Sequence, residues 1–223
     1  MIEKPVISAA QAAAMVKDGQ TLHVGDFLGC GSPDGVIAAL AEAGTRNLTL
    51  VCCTTSILDE KSSKSNGVAS LVKNRQFKHV IVSHVGTNAE TQRQMNSGEL
   101  IVELVPQGTL AERIRAAGAG LGGILTPTGV GTEVEDGKVK ITVKDKVYLL
   151  ETALPGDVAL IKARRADKAG NLQYAKTARN FNPLMATACA LVIAEGEEIV
   201  EIGAIDPDQV HTPSIFVDYL VKA

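Results

Sequence analysis

The chain has 223 residues, of which 45% are hydrophobic and 21% charged, and its formal net charge is −3. These values are ordinary for a globular domain, and a chain of this length buries roughly 70% of its unfolded surface. Nucleic-acid-binding proteins use a basic surface and aromatic stacking platforms. A weakly acidic chain with 3% aromatic residues has neither, so we expect no nucleic-acid partner.

Targeting, disulfide and metal signals are absent from the sequence. It has no run of 18 apolar residues and no signal-peptide pattern near its start, so we expect a cytoplasmic protein without a membrane span. The histidines show no i,i+4 pair, which predicts no metal site. The cysteines show no C-x-x-C spacing and are expected to be reduced thiols. They are Cys30, Cys52, Cys53 and Cys189.

Apolar runs alternate with helical segments through the first half of the chain. Ser8 and Gln11 form a capping box for a first helix, and residues 21–27 read as a strand. Ser32 is predicted to be the N-cap of the next helix, with Pro33 at its first position. Later strands are predicted at 48–53, 79–85 and 100–106, and later helices at 68–74, 89–96 and 110–118. This alternation predicts an α/β fold with an open, mostly parallel sheet and helices on both faces.

The second half of the chain has a different pattern. Residues 120–132 are rich in Gly and Thr and are predicted to be a loop. Lys144 and Asp145 separate two apolar runs at 138–143 and 146–152, which predicts an antiparallel hairpin. Further strands are predicted at 158–163, 172–175, 191–195 and 215–221. Without an internal repeat or a clear boundary, residues 1–223 are interpreted as a single domain.

A glycine-rich turn follows the first predicted sheet strand, at residues 25–33. Its glycines are Gly25, Gly29 and Gly31, which is not the spacing of a dinucleotide-binding fingerprint. Ligands of such sheets bind at the carboxyl ends of the strands, so this turn is a candidate site. A plain tight turn is the alternative, and the spacing does not decide between them. The literal fingerprint match at 118–123 follows a helix rather than a strand, so its context fails.

A second candidate position is Gln107, which follows the predicted strand at 100–106. Thr109 is the expected N-cap of the next helix, with Glu112 three residues later. A side chain beside a helix N-terminus is placed to bind a carboxylate or carbonyl oxygen. The alternative is that Gln107 only caps its loop. Glu195, near a strand end, is interpreted as a solvated carboxylate and not as a member of a catalytic pair.

Four stretches resemble the A (alpha) subunit of family I coenzyme A transferases, of the acetate, acetoacetate and butyrate type. They lie in the family's order and span nearly the whole chain: KDGQTLHVGDFLGCGSP (17–33), VPQGTLAERIRAAGAGLGGILTPTGVGT (105–132), ADKAGNLQYAKTARNFNP (166–183) and DPDQVHTPSIFVDYLV (206–221). The resemblance implies transfer of CoA from an acyl-CoA to a free carboxylate by a ping-pong route through a glutamyl-CoA thioester. In the family, that glutamate lies in a Ser-Glu-Asn-Gly stretch of the B (beta) subunit. This chain has no such stretch, so the resemblance implies no catalytic residue of its own.

The same resemblance implies a substrate-binding role for the first glycine-rich turn and for the start of the later helix. These residues are Gly25, Asp26, Phe27, Gly29, Gly31, Gln107 and Gly108. The turn would face the partner's glutamate, Phe27 would shape the acyl pocket, and Gln107 would bind a substrate oxygen. CoA would be a substrate, with no further cofactor or metal.

The implied partners are a B subunit, in an α2β2 or α4β4 assembly, together with acyl-CoA and short-chain carboxylates. Two other functions on a related fold are weighed against this one. A sugar-phosphate isomerase needs an internal acid–base pair and a phosphate cradle, and neither is visible in the sequence. A ligand-sensing protein is normally joined to a DNA-binding segment, for which there is no room before the first strand.

This chain departs from the family pattern where strands end. The family usually has Gly-Gly-Phe at the first turn, where this chain has Asp26 in the middle position. A carboxylate there should repel an anionic substrate unless it is paired. Close relatives carry Asn-Asp-Thr after the second strand, where this chain has Cys53, Thr54 and Thr55, and the 59–67 segment looks longer. The reaction class is therefore better specified by the sequence than the substrate.

Overall fold

A computed structural model describes residues 2–59 and 64–223, so part of the 59–67 segment lies outside it. The described strands are β1 (Val6–Ile7), β2 (Thr21–Val24), β3 (Leu48–Val51), β4 (Leu58–Asp59), β5 (Lys64–Ser65), β6 (Phe77–Val82), β7 (Ile101–Leu104), β8 (Gly123–Thr126), β9 (Lys140–Val143), β10 (Lys146–Thr152), β11 (Gly156–Asp167), β12 (Leu172–Gln173), β13 (Cys189–Val200) and β14 (Tyr219–Lys222). The helices are α1 (Ala9–Met15), α2 (Asp34–Ala43), α3 (Ala69–Lys73), α4 (Ala89–Asn96), α5 (Gln107–Gly118) and α6 (Asn182–Ala188). Short 3-10 helices lie at Glu133–Glu135, Lys176–Arg179, Pro207–Gln209 and Ser214–Phe216.

The main sheet has the strand order β1-β14-β13-β11-β2-β3-β6-β7, and every neighbouring pair along this path is parallel. Only β12, which pairs with β11, is antiparallel among the described strands of this sheet. The predicted mostly parallel sheet is therefore confirmed. From β2 the chain moves outward through β3, β6 and β7, and the later strands lie on the other side of β2. The direction of winding thus reverses beside β2, which is where such sheets form a ligand crevice.

Alternating side chains of the same strands fill two separate cores, one on each face of the sheet. Val158 and Leu160 of β11 pack in the core that includes α1, α2 and α3. Ala159 and Ile161 of the same strand pack in the core that includes α5 and α6. Strands buried on both faces explain the continuous apolar runs in the sequence and confirm that helices cover both faces.

A smaller antiparallel sheet, in the order β8-β10-β9, contains the predicted hairpin. Lys144 and Asp145 have φ of 47° and 65°, the left-handed values that a two-residue hairpin turn needs. The prediction of a loop over 120–132 is wrong in part, because β8 lies within it. Gly123 pairs with Thr152 of β10, and a Cβ at Gly123 would lie 2.4 Å from the Glu151 carbonyl oxygen. The glycine that suggested a loop is there to allow close strand pairing.

Helix starts show where local sequence signals succeed and fail. The capping box of α1 is confirmed, since Gln11 N–H donates to Ser8 Oγ and Ser8 N–H to Gln11 Oε1. The prediction that Ser32 caps α2 is wrong. The Val36 N–H donates instead to Glu195 Oε2, at 2.9 Å. Glu195 lies on β13 and is buried, so its interpretation as a solvated carboxylate is also wrong.

Across residues 2–59 and 64–223, the helices are all too short or too polar to cross a bilayer.

His23, on β2, is fully buried, and this burial predicts acid sensitivity of the fold. Burial lowers the pKa of His23 from 6.5 to about 4, because the charged imidazolium is poorly solvated there. Below pH 6.5 the unfolded chain takes up this proton while the folded chain does not, so the free energy of unfolding falls as the pH drops towards 4. The contribution of His23 to this loss is about 2 kcal/mol by pH 5. Between pH 7 and pH 5, the free energy of unfolding measured in urea should therefore change less favourably in the wild type than in His23→Leu, by about 2 kcal/mol. Equal changes in the two proteins would contradict the prediction.

Candidate functional site

Four neighbouring parallel strands, β2, β3, β6 and β7, end around one cavity of about 240 Å³. Each strand is followed, within four positions of its last residue, by residues that line the cavity. The lining side chains are Phe27, Leu28, Cys53, Thr54, Ser83, His84 and Gln107. The apolar run in the sequence places His84 on the same strand as His79, but β6 ends at Val82 and His84 is free to face this cavity.

A second cavity of about 320 Å³ adjoins the first and shares Phe27 and Gln107 with it. Gly108 and Ala111 of α5 form one side, and residues at the start of α6 form another. These are Asn180, Phe181 and Leu184. Phe27 is 40% exposed, so this aromatic ring lies open between the two cavities.

Gln107 is the first residue of α5, and Pro106 occupies the N-cap position. The prediction that Thr109 is the N-cap is therefore wrong. The Pro106 carbonyl already accepts the Leu110 N–H at 2.9 Å, so the helix begins earlier than expected. Gln107 Nε2 donates to Cys53 Sγ at 3.0 Å. The structure thus places Gln107 beside a helix N-terminus, as predicted, and adds a thiol contact that the sequence did not indicate.

Phe27 is presented by a tight turn that surrounding residues hold on both sides. Phe27 and Cys30 exchange backbone hydrogen bonds of 3.1 and 3.0 Å across Leu28 and Gly29, which have φ of 55° and 88°. Thr54 Oγ1 accepts the Leu28 N–H, and Asn66 Nδ2 donates to the Leu28 carbonyl. These hydrogen bonds fix the backbone that carries the Phe27 side chain at the cavity.

Asp26 does not line any of the described cavities, because its carboxylate points inward. It accepts the Gly29 N–H and the Ser56 hydroxyl, and the residue is fully buried. Burial raises the pKa of Asp26 to about 6, against the opposing effect of these two hydrogen bonds. Because the Asp26 carboxylate is hydrogen-bonded and points away from the cavities, it need not repel an anionic substrate. Because of this raised pKa, the contribution of Asp26 to the free energy of unfolding increases as the pH drops below 6, whereas the contribution of His23 decreases. A comparison with a His23 variant is therefore needed to isolate the effect of the histidine.

The glycines of the turn are required by close packing. A Cβ on Gly25 would lie 1.8 Å from Asn182 Oδ1, and one on Gly31 would lie 2.7 Å from the Ala178 carbonyl oxygen. The Gly25 N–H donates to the Leu160 carbonyl and the Gly29 N–H to Asp26, so neither is free to bind a substrate. Gly29 and Gly31 line a third cavity, of about 230 Å³, which Lys162 and Arg164 also line.

Of the residues singled out from the sequence, the structure brings Phe27, Gln107 and Gly108 together. Sequence reasoning did not nominate Leu28, Ser83 or His84, and it noted Cys53 and Thr54 only as departures from a pattern. The available signal was that they lie at or just beyond the carboxyl ends of the predicted strands. Within 2–59 and 64–223, no group of three His, Cys, Asp or Glu side chains is placed to hold a metal ion.

A family model described as coenzyme A transferase matches residues 6–223. The chain belongs to the coenzyme A transferase family. Among the family's members it matches A or alpha subunits. It is 47% identical to the alpha subunit of the acetate CoA-transferase of Escherichia coli K12, over 97% of this chain and 96% of the relative. It is 42% identical to the acetoacetyl-CoA:acetate/butyrate CoA transferase alpha subunit of Clostridium acetobutylicum, over 97% of each chain.

Relatives at similar identity carry a different substrate name. The A subunit of the probable succinyl-CoA:3-ketoacid coenzyme A transferase of Bacillus subtilis is 48% identical over 98% of this chain and 89% of that one. The names of the relatives therefore agree on CoA transfer and on the type of subunit, and differ on the acid.

Solved structures share the same fold at lower identity. An acyl-CoA transferase of Escherichia coli O157:H7, solved as a thioester complex with CoA, superposes with a TM-score of 0.86 at 24% identity. The match covers 99% of this chain but 47% of that one, so the chain spans about half of its length. Glutaconate CoA-transferase from Acidaminococcus fermentans gives a TM-score of 0.84 at 20% identity, over 98% of this chain and 75% of that one. The predicted CoA-transferase-like fold is confirmed.

Proposed function

We propose that this chain is the A subunit of a heteromeric CoA-transferase, which moves CoA between a short-chain acyl-CoA (acetyl-, acetoacetyl- or butyryl-CoA) and a free carboxylate. One observation carries the proposal. None of the described residues lining the two adjoining cavities is Asp or Glu. The site offers an apolar wall and a hydrogen-bond donor but no carboxylate nucleophile, so the nucleophile comes from a partner. The relatives are named alpha or A subunits, which favours a B subunit for that role.

The proposed reaction is a ping-pong exchange at a glutamate of the B subunit. Its carboxylate oxygen attacks the thioester carbonyl carbon, the C–S bond breaks, and the CoA thiolate leaves behind an acyl–glutamyl anhydride. The thiolate then attacks the glutamyl carbonyl, the free acid departs as a carboxylate, and a glutamyl-CoA thioester remains. An acceptor carboxylate reverses these two steps and leaves as the new acyl-CoA.

This chain supplies the binding half of that site. A carboxylate is a weak nucleophile, so the reaction needs a water-poor site with donors aimed at the developing oxyanion. Phe27 and Leu28 provide the apolar wall. Gln107 Nε2 is a neutral donor at the edge of the cavity, and the N-terminal turn of α5 adds its positive dipole end.

The two alternative functions receive less support. An isomerase needs an acid–base pair, and the described residues lining the two cavities include one histidine, His84, but no carboxylate. A ligand sensor needs no partner nucleophile but leaves the subunit names of the relatives unexplained. The proposal also locates the protein in the cytoplasm, in agreement with its four free cysteines.

The test compares this chain alone with the same chain co-purified with its B subunit. We expect transfer of CoA from acetoacetyl-CoA to acetate or butyrate only in the complex. Light scattering on that complex distinguishes an α2β2 from an α4β4 assembly. Transfer by the lone chain would contradict the proposal, since it would require a nucleophile within this chain.

A further inference from the structure

Cys53 stands between the sheet and the proposed substrate-binding amide. The residue is 1% exposed, it lies just beyond the end of β3, and it lines the 240 Å³ cavity. Its Sγ accepts a hydrogen bond from Gln107 Nε2 at 3.0 Å. Ser83 Oγ lies 3.6 Å from the same sulfur, but the Ser83 hydroxyl donates to the Cys53 carbonyl at 2.8 Å. The amide of Gln107 is therefore the principal donor to the thiol.

The chemistry of this pair suits a contact that is made and broken in each binding event. A thiol sulfur is a weak hydrogen-bond acceptor, whereas carboxylate and carbonyl oxygens are strong ones. The Gln107 side chain would otherwise be free to rotate, since the residue is exposed at the start of α5. A weak bond to a buried sulfur keeps the amide at the cavity but adds little to the cost of releasing it.

We propose that Cys53 is a positioning residue for Gln107: it holds the amide towards the cavity in the free enzyme and releases it to a substrate oxygen. This inference rests on the proposed function, because it assigns Gln107 the substrate oxygen. Cys53 itself touches neither the thioester nor the nucleophile in this scheme. It tunes carboxylate affinity through the amide it holds.

Two substitutions at this position separate positioning from packing. In Cys53→Ser, an oxygen acceptor of similar size holds the amide more strongly, so the substrate must displace a stronger bond. We expect the KM for acetate to rise about five-fold in the complex with the B subunit, with kcat within about two-fold. In Cys53→Ala, residue 53 no longer accepts a hydrogen bond from Gln107. The substrate then has to order the Gln107 amide but not to displace a bond, so the KM should rise less than in the serine variant. A purely structural role would make the two substitutions similar and leave the KM unmoved.

The dependence on Gln107 is tested by a double-mutant cycle. In a Gln107→Ala background, Cys53→Ser should leave the KM unchanged, because the group it restrains is gone. Cys189→Ser is the matched control. Cys189 is the first residue of β13, so it lies at the amino ends of the parallel strands, whereas the cavity lies at their carboxyl ends. This substitution should leave the KM at the wild-type value. An equal rise of the KM in the Gln107→Ala background would overturn the proposal.

A second measurement keeps this test independent of the proposed function. The side-chain amide signals of Gln107 are assigned by NMR in this chain alone, by their loss in Gln107→Ala. Cys53→Ser should shift them, and Cys189→Ser should not. Unshifted signals in Cys53→Ser would overturn the positioning role even if the complex proved inactive in CoA transfer.

Discussion

Replacing Gln107 by alanine should lower CoA transfer about 100-fold in the complex with the B subunit, the usual effect of deleting one donor to a developing oxyanion. The reason is local. Of the side chains lining both cavities, Phe27 is apolar and Gln107 carries an amide donor at the N-terminus of α5. Without that amide, the substrate oxygen loses a fixed partner that water replaces poorly in a closed site. The measurement is kcat/KM for acetate with acetoacetyl-CoA as donor.

The controls for this variant follow from where Gln107 lies. The residue is exposed at the start of α5, so removal of its side chain should leave the unfolding temperature and the assembly with the B subunit unchanged. Gln20→Ala is the matched substitution. Gln20 precedes β2 at the amino ends of the parallel strands, away from the cavity, and its side chain accepts the Lys17 N–H. It should retain full activity. An unchanged kcat/KM in Gln107→Ala would remove this residue from the site.

The elements whose signals are local were predicted well. The capping box at Ser8 and Gln11 depends on residues three apart, and α4 has the predicted bounds of 89–96. The strands were found because burial on both faces leaves continuous apolar runs. The carboxyl ends of β2, β3, β6 and β7 were placed too late, however, because apolar residues continue beyond them towards the cavity, whereas β11 and β13 extend past their predicted ends. Residues 25–27 and 52–53 were assigned to strands and instead belong to the site and its surroundings.

The contacts that build the site connect residues far apart in the sequence. Glu195 accepts a backbone N–H from the first turn of a helix that begins 161 residues earlier. Ser32 precedes that helix and has the residue type of an N-cap, so the local sequence predicted the wrong capping residue. Gln107 and Cys53 are 54 positions apart and meet only because β3, β6 and β7 are neighbours in the sheet. The family resemblance implied that Asp26 binds substrate, but its side chain is directed inward by hydrogen bonds, one of them from the distant Ser56.

Gly25→Ala should destabilise the fold by about 3 kcal/mol, the upper end of the cost of overpacking a buried site, which lowers the unfolding temperature by about 10 °C. Space is the reason, since a Cβ there would lie 1.8 Å from Asn182 Oδ1. Asn182 is fully buried and cannot move away freely. Its Oδ1 accepts the Lys162 N–H, and its Nδ2 donates to the Gly31 and Ala178 carbonyls.

A double-mutant cycle with Asn182→Ala tests this explanation by thermal unfolding. That substitution removes both the three hydrogen bonds and the atoms that a Cβ on Gly25 would meet. The double variant should therefore be no less stable than Asn182→Ala alone, a departure from additivity as large as the clash. Gly122→Ala is the control, since its Cβ would meet no atom within 4 Å. If Gly25→Ala proved as harmless as Gly122→Ala, Asn182 would not be what requires a glycine in the turn that presents Phe27.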